Sequence, residues 1–406
     1  MRRAGTRRVA ADPETPRRRN LFGDPMTTPS APAYIDPLDG STYPIDVPRW
    51  RSDAGRPLMI TPLPGLDRGD IDAAERSLWR YAAALPVAVA DPISLGEGCT
   101  PLVRRRVRGR EAHFKLEWFA PSGSFKDRGA AVMLSILRQQ GIDAVLEDSS
   151  GNVGAAVATY AAAGGMRAKI LVPASTSPAK TVQMRACGAE VELIPGTRQD
   201  TAEAAVAQAE QIFYASHNWQ AHFLQGTKTL AYELWEDLGF RAPDAVIIPC
   251  GAGSNVLGCD IGFSELLRRG AIARLPRLYA VQPAHCAPLH AGFDAGGDDF
   301  VPVDPRPTLA EGASIARPVR GRAVLDALRR SGGGTVAVSE AEIETGLWDL
   351  AAAGLYVEPT CAMAAAALDR LSAQGAIQAG ETVVAVLTGT GIKATPRIAE
   401  LLGQAS

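Results

Sequence analysis

The sequence reads as an α/β protein in which largely parallel sheets are covered by helices on both faces. Three observations lead there. From Lys126 onward, short apolar runs with strand character alternate with longer runs of helical spacing. Turns rich in Gly, Ser and Asn follow several of the strands, and open α/β sheets bind ligands beyond the carboxyl ends of their strands. The chain has 406 residues, 46% of them hydrophobic, enough for two domains or one large α/β unit, and its many Ala and Gly suit helices packed closely on a sheet.

Residues 1–30 stand apart. Arg2, Arg3, Arg7, Arg8, Arg17, Arg18 and Arg19 alternate with Pro, Asp and Glu, without an apolar periodic face, so the segment is expected to be disordered. No apolar run follows the arginines to make a signal peptide, and no aromatic residue interleaves them as in a nucleic-acid-binding arm. Met26 is an alternative start. Residues 34–37 and 42–45 read as short extended pieces, residues 71–85 as a helix, and residues 93–102 as a turn-rich approach to a strand over 112–117. Strands are then expected over 144–147, 169–173, 190–194, 245–249, 278–281 and 382–387. Helices are expected over 153–163, 178–187, 200–211, 227–238, 339–353 and 360–372, and from the 251–258 loop to Arg269. Residues 292–307 read as a long surface loop.

The net charge of −2 gives no bulk field for nucleic acid or membrane. No apolar run reaches the roughly 18 residues of a membrane span. The cysteines at 99, 187, 250, 259, 286 and 361 form no CxxC pair, so they read as scattered buried thiols of a cytoplasmic protein. A metal site is not expected.

Four stretches carry chemistry. In Pro121-Ser122-Gly123-Ser124-Phe125-Lys126-Asp127-Arg128-Gly129, a lysine stands where a loop enters a helix. Desolvation there lowers an amine's pKa and makes it a nucleophile toward carbonyls; an exposed lysine at a helix start is the plain alternative. Ser149-Ser150-Gly151-Asn152 offers hydroxyls, backbone N–H groups and an amide at a helix start, suited to a carboxylate or equally to simple capping. Gly251-Ala252-Gly253-Ser254-Asn255 brings bare N–H groups to a helix start, a phosphate cradle. It lacks the lysine of a Walker loop, and the glycine at 258 misplaces it for a dinucleotide fingerprint. Glu358-Pro359-Thr360-Cys361 and Thr388-Gly389-Thr390-Gly391 add a carboxylate and hydroxyls at a helix entry and a sheet end.

Together with Gly98-Cys99-Thr100-Pro101-Leu102, Gly226-Thr227-Lys228-Thr229 and Ile392-Lys393, these motifs resemble the fold-type II pyridoxal-phosphate-dependent enzymes, most of all the threonine synthases. The resemblance spans roughly residues 34–397. It implies a two-domain fold, each domain a largely parallel twisted sheet flanked by helices. Residues 31–130 and 214–406 would form the larger cofactor-binding domain with its N-terminal extension, and residues 131–213 the smaller α/β domain. It implies pyridoxal 5'-phosphate as cofactor, carried covalently by Lys126, which would also take the substrate's α-proton. Phe125 would lie against the cofactor ring and Asn152 would hydrogen-bond its 3-oxygen. Gly251, Ala252, Gly253, Ser254 and Asn255 would hold its phosphate, and Thr388 would face its pyridine nitrogen. Thr100, Ser149, Ser150 and Gly151 would lie near the substrate carboxylate. The expected substrate is a small amino acid, and the expected assembly a homodimer.

Departures from the family's pattern sharpen the question of substrate. The N-terminal extension lacks the cysteine pairs that often bind zinc. Thr390 and Ala394 stand where the last motif usually has histidine and aspartate. Gln220-Ala221-His222-Phe223 replaces an asparagine-proline-x-arginine run, so the arginine that binds a substrate phosphate is missing, with His222, Arg185 or Lys180 as substitutes. Elimination or replacement is expected, threonine synthesis from O-phosphohomoserine first. The rivals are a threonine or serine ammonia-lyase, a cysteine-synthase-like β-replacement enzyme, and a cofactor-binding pseudoenzyme.

Overall fold

The computed structural model describes residues 31–149 and 151–403. The basic segment 1–30 and Ser150 lie outside the described residues. In chain order the strands and helices are β1 (Ala33–Ile35), β2 (Thr42–Pro44), β3 (Met59–Ile60), β4 (Leu102–Val107), β5 (Arg110–Leu116), α1 (Lys126–Gln139), β6 (Ala144–Glu147), α2 (Asn152–Ala163) and β7 (Arg167–Pro173). Then come α3 (Pro178–Ala186), β8 (Glu190–Ile194), α4 (Arg198–Gln208), β9 (Phe213–Tyr214), α5 (Ala221–Thr227), α6 (Thr229–Asp237), β10 (Ala245–Pro249), α7 (Ser254–Arg268), β11 (Arg277–Pro283) and α8 (Pro288–Asp294). The chain ends with α9 (Gly321–Arg330), β12 (Gly334–Val338), α10 (Glu340–Ala352), α11 (Pro359–Ala373), β13 (Val383–Leu387) and α12 (Thr395–Leu401).

Two sheets dominate. One has the order β12-β11-β10-β13-β5-β4, parallel except for its last, antiparallel pair. The other, β8-β7-β6-β9, is parallel throughout. A small antiparallel sheet, β2-β1-β3, precedes them. Strand alternation explains why the large sheet needs helices on both faces. Ala245, Ile247, Val383 and Ala385 point to the core under α10 and α11, while Val246, Ile248, Val384 and Val386 point to the core under α6, α7 and α9. In the smaller sheet, Val145, Ile170 and Val172 meet α1 and α2, and Leu146 and Leu171 meet the Ala205 side of α4.

The extension is anchored by aromatics. Trp50 packs edge-on against Tyr214 and Trp219, at 5.1 and 5.3 Å between centroids. Among the described residues, no helix is long and apolar enough to cross a membrane.

Several expectations need correction. Residues 71–85 do not form an α-helix. A 3-10 helix covers Leu78–Ala84, because the Leu78 N–H goes to the Glu97 carbonyl and Tyr81 leaves helical φ/ψ. The helix expected over 227–238 is α6, and the short α5, which was not expected, runs into it through Lys228. The loop expected over 292–307 starts inside α8. Of the cysteines expected to be buried, Cys99 is exposed and Cys187 only half-buried. The strand expected over 112–117 is β5, but its antiparallel partner β4 was not expected, because three arginines hide its alternation; the turn between them places Arg108 and Gly109 at φ 50 and 76°, the left-handed pair that a two-residue hairpin loop requires.

Candidate active site

Lys126 opens α1 directly after a loop stitched to the end of β13. The Phe125 N–H donates to the Thr388 carbonyl at 3.0 Å, and the Thr390 N–H to the Gly123 carbonyl at 3.2 Å. The Glu358 N–H donates to the Gly389 carbonyl at 3.2 Å. Backbone bonds thus gather three of the expected motifs around one amine. A Cβ at Gly389 would lie 2.6 Å from the Glu358 carboxylate, so any larger residue there would push that side chain aside. Inside the loop, Asp127 accepts the Ser122 N–H at 2.7 Å and the Ser122 hydroxyl. Burial pushes the Asp127 carboxyl up to about 6, against these Ser122 hydrogen bonds.

The Lys126 amine lies over the Phe125 ring at 4.4 Å and faces the Phe223 ring at 5.8 Å. Among the described residues it makes no hydrogen bond or ion pair. Burial pulls its pKa down to about 8, against the nearby charges of Glu147 and Glu358. An unpaired, desolvated amine between aromatic faces is chemically suited to capture an aldehyde.

Asn152, at the start of α2, donates its amide to Glu358 at 3.1 and 3.2 Å and accepts from the Lys393 ammonium at 3.1 Å. Burial raises the Glu358 carboxyl, with Asn152 and Lys393 opposing. Thr388 is buried, its hydroxyl 3.3 Å from the Cys361 thiol. Ser149 is buried, and its hydroxyl accepts the Gly151 N–H at 3.4 Å. Residues 251–253 leave β10 for α7, with Gly253 at φ 95° and a would-be Cβ 2.3 Å from Val324. Ser254 and Asn255 are buried, and neither amide atom of Asn255 has a partner. An unsatisfied amide beside a bare helix N-terminus fits a phosphate-bearing cofactor.

Thr100 belongs to a different cluster. Its hydroxyl donates to Glu117 at 2.7 Å and to Glu233 at 3.1 Å. Arg128 bridges both carboxylates at 2.7–2.8 Å, and Lys115 reaches Glu233 and Asp237 at 2.6 Å. Against burial, Arg128 and Lys115 hold the Glu233 carboxyl far below the usual range. This buried network fixes the first turn of α1, and with it the lysine.

Three further groups near Lys126 were not singled out by the sequence. Glu147, at the end of β6, accepts the His217 N–H at 3.1 Å and meets its ring at 3.2 Å. Burial lifts Glu147 to about 7, and burial with the Lys126 charge keeps His217 neutral. Arg198 donates to the Asp148 carbonyl at 3.3 Å. A strand-end carboxylate is the only local signal that could have flagged Glu147.

The proposed substitutes for the missing arginine turn elsewhere. His222 is buried, bonded to the Tyr34 hydroxyl at 2.8 Å, and pushed by burial down to about 3. Lys180 is exposed and pairs with Glu311. Arg185 is exposed and, among the described residues, reaches the Val191 carbonyl at 3.4 Å.

Residues 93–389 match the family described as pyridoxal-phosphate dependent enzyme. The chain is 33% identical over 328 residues to a threonine synthase of Methanocaldococcus jannaschii, covering 79% of this chain and 81% of the relative. It is 34% identical over 331 residues to a threonine synthase of Synechocystis, covering 78% and 84%. Among solved structures, a threonine deaminase of T.th. superposes with a TM-score of 0.62 at 26% identity, covering 72% of this chain and 92% of that one.

Proposed function

The chain belongs to the fold-type II pyridoxal-phosphate-dependent enzymes, and we propose that it catalyses elimination or replacement on a small amino acid, with threonine formation from O-phosphohomoserine and water as its reaction. It is a pyridoxal-phosphate-dependent lyase. The observation that carries the specific reading is the likeness to threonine synthases over about four-fifths of both chains.

When bound, pyridoxal phosphate supplies an electron sink for charge developing at the α-carbon. In this reading Lys126 holds the cofactor through its amine, and Phe125 covers the ring. Asn152 is the donor for the ring's 3-oxygen. Residues 251–255 take the phosphate, and Ser149 with Gly151 receives the substrate carboxylate. The Lys126 amine would take the substrate's α-proton, because burial pulls its pKa down to about 8 and leaves part of it unprotonated at neutral pH. Thr388 offers the pyridine nitrogen a hydroxyl rather than a carboxylate. A hydroxyl does not enforce protonation there, which favours elimination and replacement over transamination. Thr100 acts from behind, through Arg128.

A second reading, ammonia-lyase action on threonine or serine, is favoured by Phe223. This apolar ring stands where threonine synthases place a phosphate-binding arginine and has no donors for a leaving phosphate. The test is one assay panel on the holoenzyme. Release of phosphate with formation of threonine from O-phosphohomoserine supports the first reading. Keto-acid release from threonine or serine, with no turnover of the phosphorylated substrate, overturns it in favour of the second.

A further inference from the structure

Arg320 is a buried cation, only 6% exposed, at the entry to α9. Its Nε donates to the Asn218 carbonyl at 3.0 Å and its Nη2 to the Trp219 carbonyl at 2.6 Å. Its Nη1 meets only the Met59 thioether, at 3.1 Å, a weak acceptor. Among the described residues, no carboxylate lies within ion-pair distance. Carbonyls satisfy N–H groups but do not neutralise charge, so an unpaired buried guanidinium is costly. Burial alone pulls its pKa down, yet a guanidinium stays protonated.

Its surroundings add positive potential. Arg320 lines a small cavity with Asn218, Ala252 and Ser254, the last two at the N-terminus of the 15-residue helix α7. The would-be Cβ of Gly253 lies against Val324, whose N–H donates to the Arg320 carbonyl at 3.1 Å. In the same helix turn the buried Asn255 amide has no partner, so its Nδ2–H group is a free donor; beside the cavity the Asn218 Oδ1, an acceptor, also lacks a partner and does not itself favour an anion. A guanidinium and a helix N-terminus brought together repel each other until an anion joins them.

We propose that Arg320 and the 252–254 loop together bind the dianion of a phosphate monoester, Arg320 supplying the full charge that the loop's N–H groups lack. The inference rests on the reading that this loop holds phosphate. The monoester has two possible sources, the cofactor and a phosphorylated substrate. The guanidinium fork matches phosphate geometry, and Nη1 is the donor free to leave its thioether for it. Arg320 then takes over the charge that Phe223 cannot provide.

The experiment compares wild type, Arg320→Lys and Arg320→Met in two arms. In the first, apoprotein is titrated with pyridoxal 5'-phosphate and, separately, with pyridoxal, which lacks the phosphate. In the second, inorganic phosphate competes with substrate on the holoenzyme. Loss of a charge-assisted contact weakens binding by roughly tenfold to a hundredfold. A loss of that size for pyridoxal 5'-phosphate but not for pyridoxal in Arg320→Met, smaller in Arg320→Lys, supports the proposal with the cofactor as source. A loss confined to the inorganic phosphate arm supports it with the substrate as source. Equal losses for pyridoxal and its phosphate, or no loss in either arm, overturn it. If Arg320→Met does not fold, Arg320→Lys decides by the same ratio of pyridoxal phosphate to pyridoxal affinity. Borohydride reduction and peptide mapping of the same samples report separately whether the cofactor sits on Lys126.

Discussion

Asn152 donates its amide to both carboxylate oxygens of Glu358, at 3.1 and 3.2 Å, across 206 residues of sequence. The Lys393 ammonium fixes the other end of the same amide at 3.1 Å. A carboxylate, an amide and an ammonium in series define which way the amide points, and the amide is the proposed partner of the cofactor's 3-oxygen.

Lys393→Met removes both the donor to Asn152 and the stronger of the two positive charges opposing the burial of Glu358. The Glu358 carboxyl then rises further and the amide loses its fixed orientation. Cofactor affinity is expected to fall by about tenfold, the value of one charge-assisted hydrogen bond, in an absorbance titration of apoprotein. Unchanged affinity would show that Asn152 is oriented by its backbone alone.

Lys126→Met is expected to abolish the proposed covalent cofactor binding and to stabilise the apoprotein at pH 7. The folded state holds this amine at about 8, below its unfolded value near 10.4. Folding therefore expels a proton between those values, and the penalty is largest below pH 8 and gone above about 10.5. The gain in the variant, of order 1–3 kcal/mol after allowing for partial exposure, shrinks as the pH is raised from 7 to 10. Calorimetry at the two pH values checks it; a gain independent of pH contradicts it.

Glu147→Gln moves the pH profile of cofactor capture. The Glu147 charge favours the ammonium form of Lys126. Without it the ammonium is disfavoured, and the midpoint of the capture rate falls below the wild-type value of about 8. Stopped-flow mixing of apoprotein with pyridoxal phosphate from mildly acidic to alkaline pH measures it, and a midpoint moving upward would refute the assignment.

Gly226→Ala separates α5 from α1. A Cβ at 226 would lie 2.0 Å from the Arg128 carbonyl, a backbone atom that cannot yield. Overpacking of this kind costs roughly 1–3 kcal/mol or more, and it displaces the turn that carries Lys126. Both a lower Tm and a weaker aldehyde capture are expected. A lower Tm with capture intact would detach the lysine's position from the α1–α5 contact.

The parts of the site that were legible in the sequence are those whose chemistry is local. Lys126 beside Gly123, the turn at Gly151 and Asn152, and the bare loop at 251–253 announce themselves, because a tight turn or helix start leaves its marks within a few neighbouring residues. The strand–helix alternation, and with it the parallel sheets, is local in the same sense. Where local rules failed, distant partners had taken over: the Leu78 N–H left its own helix for Glu97, and Thr100 left the substrate side for Glu117 and Glu233.

From its sequence alone, this chain declared its family and its cofactor, and pointed to Lys126 as the amine proposed to carry it. Folding decided the charge states: which carboxylate faces that amine, how Lys393 orients Asn152, and that Arg320 is buried with no carboxylate beside it among the described residues. The reason is that a pKa or a hydrogen-bond partner depends on what lies within a few ångströms. Apart from the nearest neighbours along the chain, only the packed tertiary structure brings those groups together.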